Sequence, residues 1–208
     1  MRIQELVILL SESVDCQPEF TDGGARIFHM QEIAPRAYLH TVFPPLNEEL
    51  TTKAFARYGQ YTNSYVRYLA NFNGALLFGG KISLRGYTRY TKELGAPISL
   101  DYGNIIEVPH FLDAGEFVFG ALVGETIVPV LTWRLNGLVR LRHTTTGEVG
   151  AEWDSLDSML VDEIGRLSRL HDNEGLFKGG HRLPEGARHW DIVSPPDIVR
   201  LLSDEDKN

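Results

Sequence analysis

Residues 132–141 read TWRLNGLVRL, and this stretch decides the fold class. Asn136-Gly137 stands between two alternating segments, the pattern of a β-hairpin closed by a type I′ turn. A two-residue turn sets Leu135 opposite Leu138 and Trp133 opposite Arg140 on one face of the hairpin. Arg134 with Val139, and Thr132 with Leu141, then occupy the other face. The pattern predicts strands over 126–135 and 138–142.

Downstream the period changes from two to that of a helix. Leu156, Met159, Leu160, Ile164 and Leu167 recur at helical spacing, with Asp157 in the first turn, so a helix is expected over 155–170. Upstream, Glu116–Val123 reads as a strand, and Ile82 and Leu84 alternate within a glycine-punctuated run. Two helices precede these strands. The first spans 47–58, with Asn47 as its cap, Glu48 and Glu49 at its positive end and Gly59 as its stop. The second spans 62–72, with Tyr61, Tyr65, Tyr68, Leu69 and Phe72 on one side and Asn73-Gly74 at its end. Ile3, Leu6, Val7 and Leu10 suit a short N-terminal helix. Residues 16–45, rich in Pro and Gly, read as loop with one short strand near Ala25–Met30. The class is α+β: a twisted, mainly antiparallel sheet with helices packed against it, in one domain over 1–208.

Composition agrees with a globular chain. The 208 residues are 43% hydrophobic and 23% charged, enough to bury a core without a disulfide or metal staple. Cys16 is the single cysteine, which suits a reducing compartment. The start, MRIQELVILLSESVDC, lacks the basic onset, long apolar core and cleavage site of a signal peptide, and no stretch approaches the length of a spanning helix. A cytoplasmic, membrane-free protein is the expectation.

The net charge of −8 is unevenly placed: residues 1–100 carry ten Lys/Arg and nine Asp/Glu, whereas residues 101–208 carry ten and nineteen. The acidic half repels nucleic acid and attracts a basic partner. Glu148, Glu152, Asp154, Asp157, Asp162 and Glu163 form an acidic stretch with no Lys or Arg until Arg166. Singly they suit a solvated helix entrance; together they make a candidate partner surface. Trp133 over Arg140 is the second candidate, as an aromatic anchor of the kind enriched in interface hot spots, although a core tryptophan is the plainer reading.

Residues 53–92 pose the opposite case, with seven Lys/Arg, no acids and interleaved tyrosines. That mixture suits an RNA-associated module, but the tyrosines keep core spacing. His171, His181 and His189 with Asp172, Glu174 and Asp191 match no compact zinc spacing. Gly79-Gly80 lacks the strand–loop–helix setting of a phosphate cradle. No catalytic constellation, metal site or cofactor motif is legible.

Three segments resemble the SUKH superfamily, which contains the Smi/Knr cell-wall regulators and many bacterial immunity proteins. PPLNEELTTKAFARYG followed by SYVRYLANFNGALLF is similar to its helix, Tyr-led helix, Asn-Gly and strand. FVFGALVGE resembles its aromatic-Gly strand, and AEWDSLDSMLVDEI its Trp-led entry into a C-terminal helix. The likeness covers about 44–170. Residues 1–43 and 171–208 have no counterpart. The resemblance implies a protein-binding α+β domain, not an enzyme, whose partner is a cognate toxin, a nuclease being one option.

Overall fold

The computed structural model describes residues 1–30, 38–59, 63–88, 96–122, 130–134 and 136–172. Among these, nine strands lie in one sheet in chain order, and every neighbouring pair is antiparallel. They are β1 (Glu19–Thr21), β2 (Gly24–His29), β3 (Tyr38–Val42), β4 (Ala75–Leu77), β5 (Ile82–Leu84), β6 (Glu116–Leu122), β7 (Val130–Arg134), β8 (Val139–Arg142) and β9 (Val149–Trp153). Four helices accompany them: α1 (Ile3–Val14), α2 (Glu48–Tyr58), α3 (Asn63–Tyr68) and α4 (Leu156–Leu170). No helix of the described residues is long and apolar enough to cross a membrane.

The helices form where capping and apolar stripes direct them. Asn47 caps α2 by accepting from the Leu50 amide at 2.9 Å. Ser155 caps α4 by accepting from the Ser158 amide at 3.1 Å. Gly59 ends α2 in right-handed rather than left-handed geometry. α3 stops at Tyr68, short of the expected 72, and the chain turns through Leu69 and Asn71 instead. The α1 stripe of Leu6, Val7, Leu10 and Val14 is buried, as is the α4 stripe of Leu156, Met159, Leu160, Ile164 and Leu167.

Residues 16–45 are not the expected loop with one strand: they build β1, β2 and β3. Asp22 and Gly23 both have positive φ and close the β1–β2 hairpin, where Thr21 faces Gly24. Asp-Gly is a preferred dipeptide for that turn, so the signal stood in the sequence.

The expected register of the decisive hairpin is corrected by one residue. Trp133 faces Val139, not Arg140, and Thr132 faces Arg140. The Arg134 amide donates to the Leu138 carbonyl and the Gly137 amide donates to Arg134, with Gly137 at φ +89°. That is a three-residue connection ending on a left-handed glycine, so the loop holds one residue more than a type I′ turn. A one-residue slip exchanges the faces. Trp133, Val139 and Trp153 therefore follow one another across β7, β8 and β9 on the face that carries the helices. Thr132, Arg140 and Glu152 share the opposite face.

The core lies between sheet and helices. Tyr65 of α3 packs on Phe119 and Trp133 at ring separations of 5.0 and 5.5 Å. Two asparagines substitute for missing strand partners. Asn104 accepts from the Val118 amide at 2.8 Å and donates to its carbonyl at 2.6 Å. Asn73 brackets Tyr87 in the same way, at 2.7 and 2.9 Å. Asn73 is thus a bridge to the loop after β5 as well as a neighbour of the positive-φ Gly74.

Candidate partner-binding surface

The acidic residues expected to form one surface are divided by the fold. β9 is an edge of the sheet, and the six acids lie around that edge rather than on one face. Glu148 precedes β9 and is exposed. Asp154 follows it and is also exposed. Glu152 points away from the helices and binds Arg140 Nε at 2.7 Å. That pairing raises the Arg140 pKa, through the hydrogen bond it donates to Glu152 first.

On the helical side, Asp162 is exposed and accepts from Trp153 Nε1 at 3.0 Å, tying α4 to the edge strand. Asp157 accepts from Tyr68 Oη at 2.7 Å and from the Met1 amino group at 2.7 Å. Burial, joined by the Asp157 bond, pushes the Tyr68 hydroxyl well above the ordinary phenol range, so it stays a donor. Glu163 does not turn toward solvent. It is fully buried and accepts from Arg166 Nη2 at 2.7 Å. The expectation that all six acids lack counter-charges is corrected for Glu152 and Glu163, whose arginines come from β8 and from the next helical turn, and for Asp157, which meets the Met1 amino group.

Trp133 is likewise an interior residue. It is 5% exposed, and its Nε1 donates to Ser64 Oγ at 3.1 Å. As an exposed anchor over Arg140 it is overturned by the register, which sends the two side chains to opposite faces. Exposed carboxylates at Glu148, Asp154 and Asp162 remain as the candidate surface.

The face behind them holds an ion-pair network that sequence reading did not find. Glu116 is buried and accepts from Arg142 at 2.9 Å and Arg140 at 3.3 Å. Asp113 accepts from Arg142 at 2.5 Å and Arg140 at 3.5 Å. The network joins the segment before β6 to β8 and β9. Asp113 and Glu116 stand 24 to 29 residues from the arginines they bind, beyond any local periodicity. A further pairing, Arg57 with Asp101 at 2.7 and 2.9 Å, fixes the start of the 101–115 loop to α2.

Over 53–92 the described tyrosines turn inward or are half-buried, whereas Lys53, Arg57 and Arg67 stay exposed. Tyr58 and Tyr65 are buried, Lys53 binds Glu49 at 2.5 Å, and Arg85 donates to the Tyr102 carbonyl. Burial lowers the Arg85 pKa. Tyr61, Arg89, Tyr90 and Lys92 lie outside the described residues. Among the described residues no three His, Cys, Asp or Glu side chains are grouped to hold a metal ion, and the tail residues Glu174, His181, His189 and Asp191 lie outside them. Comparison of the chain with protein-family models, curated proteins and solved structures yields no match.

Proposed function

We propose that this chain is a non-enzymatic, cytoplasmic protein-binding domain of SUKH type, an immunity protein whose acidic β9 edge receives a toxin with a basic surface. The observation that carries the reading is the division of labour among the acids. Carboxylates inside the fold are matched to arginines, as Glu116 is to Arg140 and Arg142. Glu148 and Asp154, at the two ends of β9, are exposed, and among the described residues neither side chain forms an ion pair. A toxin that handles nucleic acid presents a phosphate-binding groove, and surplus surface carboxylates steer such a protein into contact. The SUKH motifs support the same reading: their segments contain α2, α3 with β4, β6, and β9 leading into α4.

The test takes as its probe a toxin domain, one encoded beside this chain's gene being the first choice. Glu148→Lys with Asp154→Lys spares both the Arg140 pairing and the Tyr68 contact. It is expected to slow association about tenfold at low salt, with the loss shrinking as salt rises. An unchanged association rate would move the binding surface elsewhere.

A further inference from the structure

Resting on that reading, we infer that the acidic edge is half of a composite docking surface whose apolar half is the loop tip at Ile105, Ile106 and Val108. These side chains are 51%, 50% and 55% exposed. Three β-branched aliphatics within four residues at that exposure are a concentrated apolar feature, unlike the scattered single residues of an ordinary surface.

The loop presents them on a fixed base. The Asp101 carbonyl accepts from the Ile105 and Ile106 amides at 2.9 and 3.0 Å, while its carboxylate is held by Arg57 and by Tyr58 Oη at 2.6 Å. Asn104, immediately before Ile105, is tied to both backbone groups of Val118 and to the Leu100 carbonyl at 2.8 Å. A backbone so bonded loses little freedom when a partner covers its side chains, which favours tight association. The core does not take up these residues even though the chain around them is firmly anchored.

The loop also belongs to the same side of the molecule as the acidic edge. Phe111 packs against Gly147 in the turn between β8 and β9, directly before Glu148. Asp113 is bound to Arg140 and Arg142 of β8. Val149, the first residue of β9, is a further exposed aliphatic at 42%.

Charge identifies the occupant. From Glu93 to Trp133 the chain contains no Lys or Arg, and the exposed Glu107 sits between Ile106 and Val108. Among the described residues no direct ion pair involves Glu107, and Arg85 acts on it only through the longer-range charge interaction. A second copy of this chain would bring two acidic surfaces together, and the net charge of −8 opposes that approach. The complementary occupant is a protein surface with an apolar centre rimmed by Lys or Arg. On this account the toxin inserts apolar side chains against the loop while its basic rim meets Glu107, Glu148 and Asp154.

The experiment measures affinity of the purified full chain for the same toxin-domain probe by titration calorimetry. Ile106→Asp and Val108→Ser are compared with unaltered protein, and thermal unfolding checks that each variant stays folded. Ile106→Asp should weaken binding at least about 30-fold and Val108→Ser about 5-fold, since burial of these side chains is lost or opposed. Full affinity in both variants, beside binding by the unaltered chain, would overturn the composite surface and leave the acidic edge as the site. Absence of binding by the unaltered chain would overturn the partner reading and this inference together. A concentration-dependent dimer in sedimentation, abolished by Ile106→Asp, would identify a second copy as the occupant and also overturn it.

Discussion

His40 on β3 is fully buried, and that burial governs how the fold answers acid. Its Nδ1 accepts from the Phe78 amide at 3.3 Å, and its ring meets Phe78 edge-on at 4.6 Å. Burial, then the neighbouring His171, pulls the His40 pKa from 6.5 down to about 3. A proton on Nδ1 would also remove the acceptor that Phe78 uses. In the unfolded chain His40 takes up a proton near the ordinary value, so between about 3 and 6.5 the unfolded state binds more protons than the native state. Stability from this group is therefore complete above 6.5 and falls as pH drops through that window. The slope is about 1.4 kcal/mol per pH unit, which amounts to about 2 kcal/mol at pH 5. Urea unfolding at pH 7, 6 and 5 measures it. His40→Asn keeps an acceptor close to the Phe78 amide but has no proton to gain. The variant should start less stable at pH 7, and its loss between pH 7 and 5 should be smaller than that of unaltered protein by about 2 kcal/mol. Parallel pH profiles for the two proteins would refute the reasoning.

Other outcomes follow from the packing. Trp133→Ala should cost about 3–5 kcal/mol in equilibrium unfolding, because it opens a cavity among Tyr65, Phe119 and Val139; a cost under about 1 kcal/mol would place the indole at the surface. Asn104→Leu should cost about 2 kcal/mol and accelerate exchange of the Val118 amide, whose acceptor is lost; unchanged exchange would mean that the Asn104 side chain does not close that strand edge.

The elements that were legible in sequence are those with strong local signals. α4 was expected from its stripe and is found at Leu156–Leu170, and α2 followed from Asn47 and its first-turn acids. β6 and β8 lie within their expected spans, and β7 lies within the expected 126–135, of which residues 126–129 and 135 fall outside the described residues. β9 escaped notice because it is an edge strand, mostly exposed, with Gly150 inside it, so it has little alternation to read. The hairpin register failed for a subtler reason: Asn-Gly fits both a two-residue turn and the end of a three-residue loop, and only cross-strand packing selects between them. The candidate surface was legible in composition but not in geometry. Nothing local to Glu152 or Glu116 foretells Arg140 and Arg142, because those pairings arise from strand order.

The central claim is that this chain neutralises a partner toxin by binding it. The most direct measurement is growth of cells that express a toxin domain, one encoded beside its gene being the first choice, with and without this chain and its Glu148→Lys/Asp154→Lys variant. Growth should be restored by the unaltered chain and only weakly by the variant at equal protein levels. Failure of the unaltered, folded chain to restore growth would contradict the account.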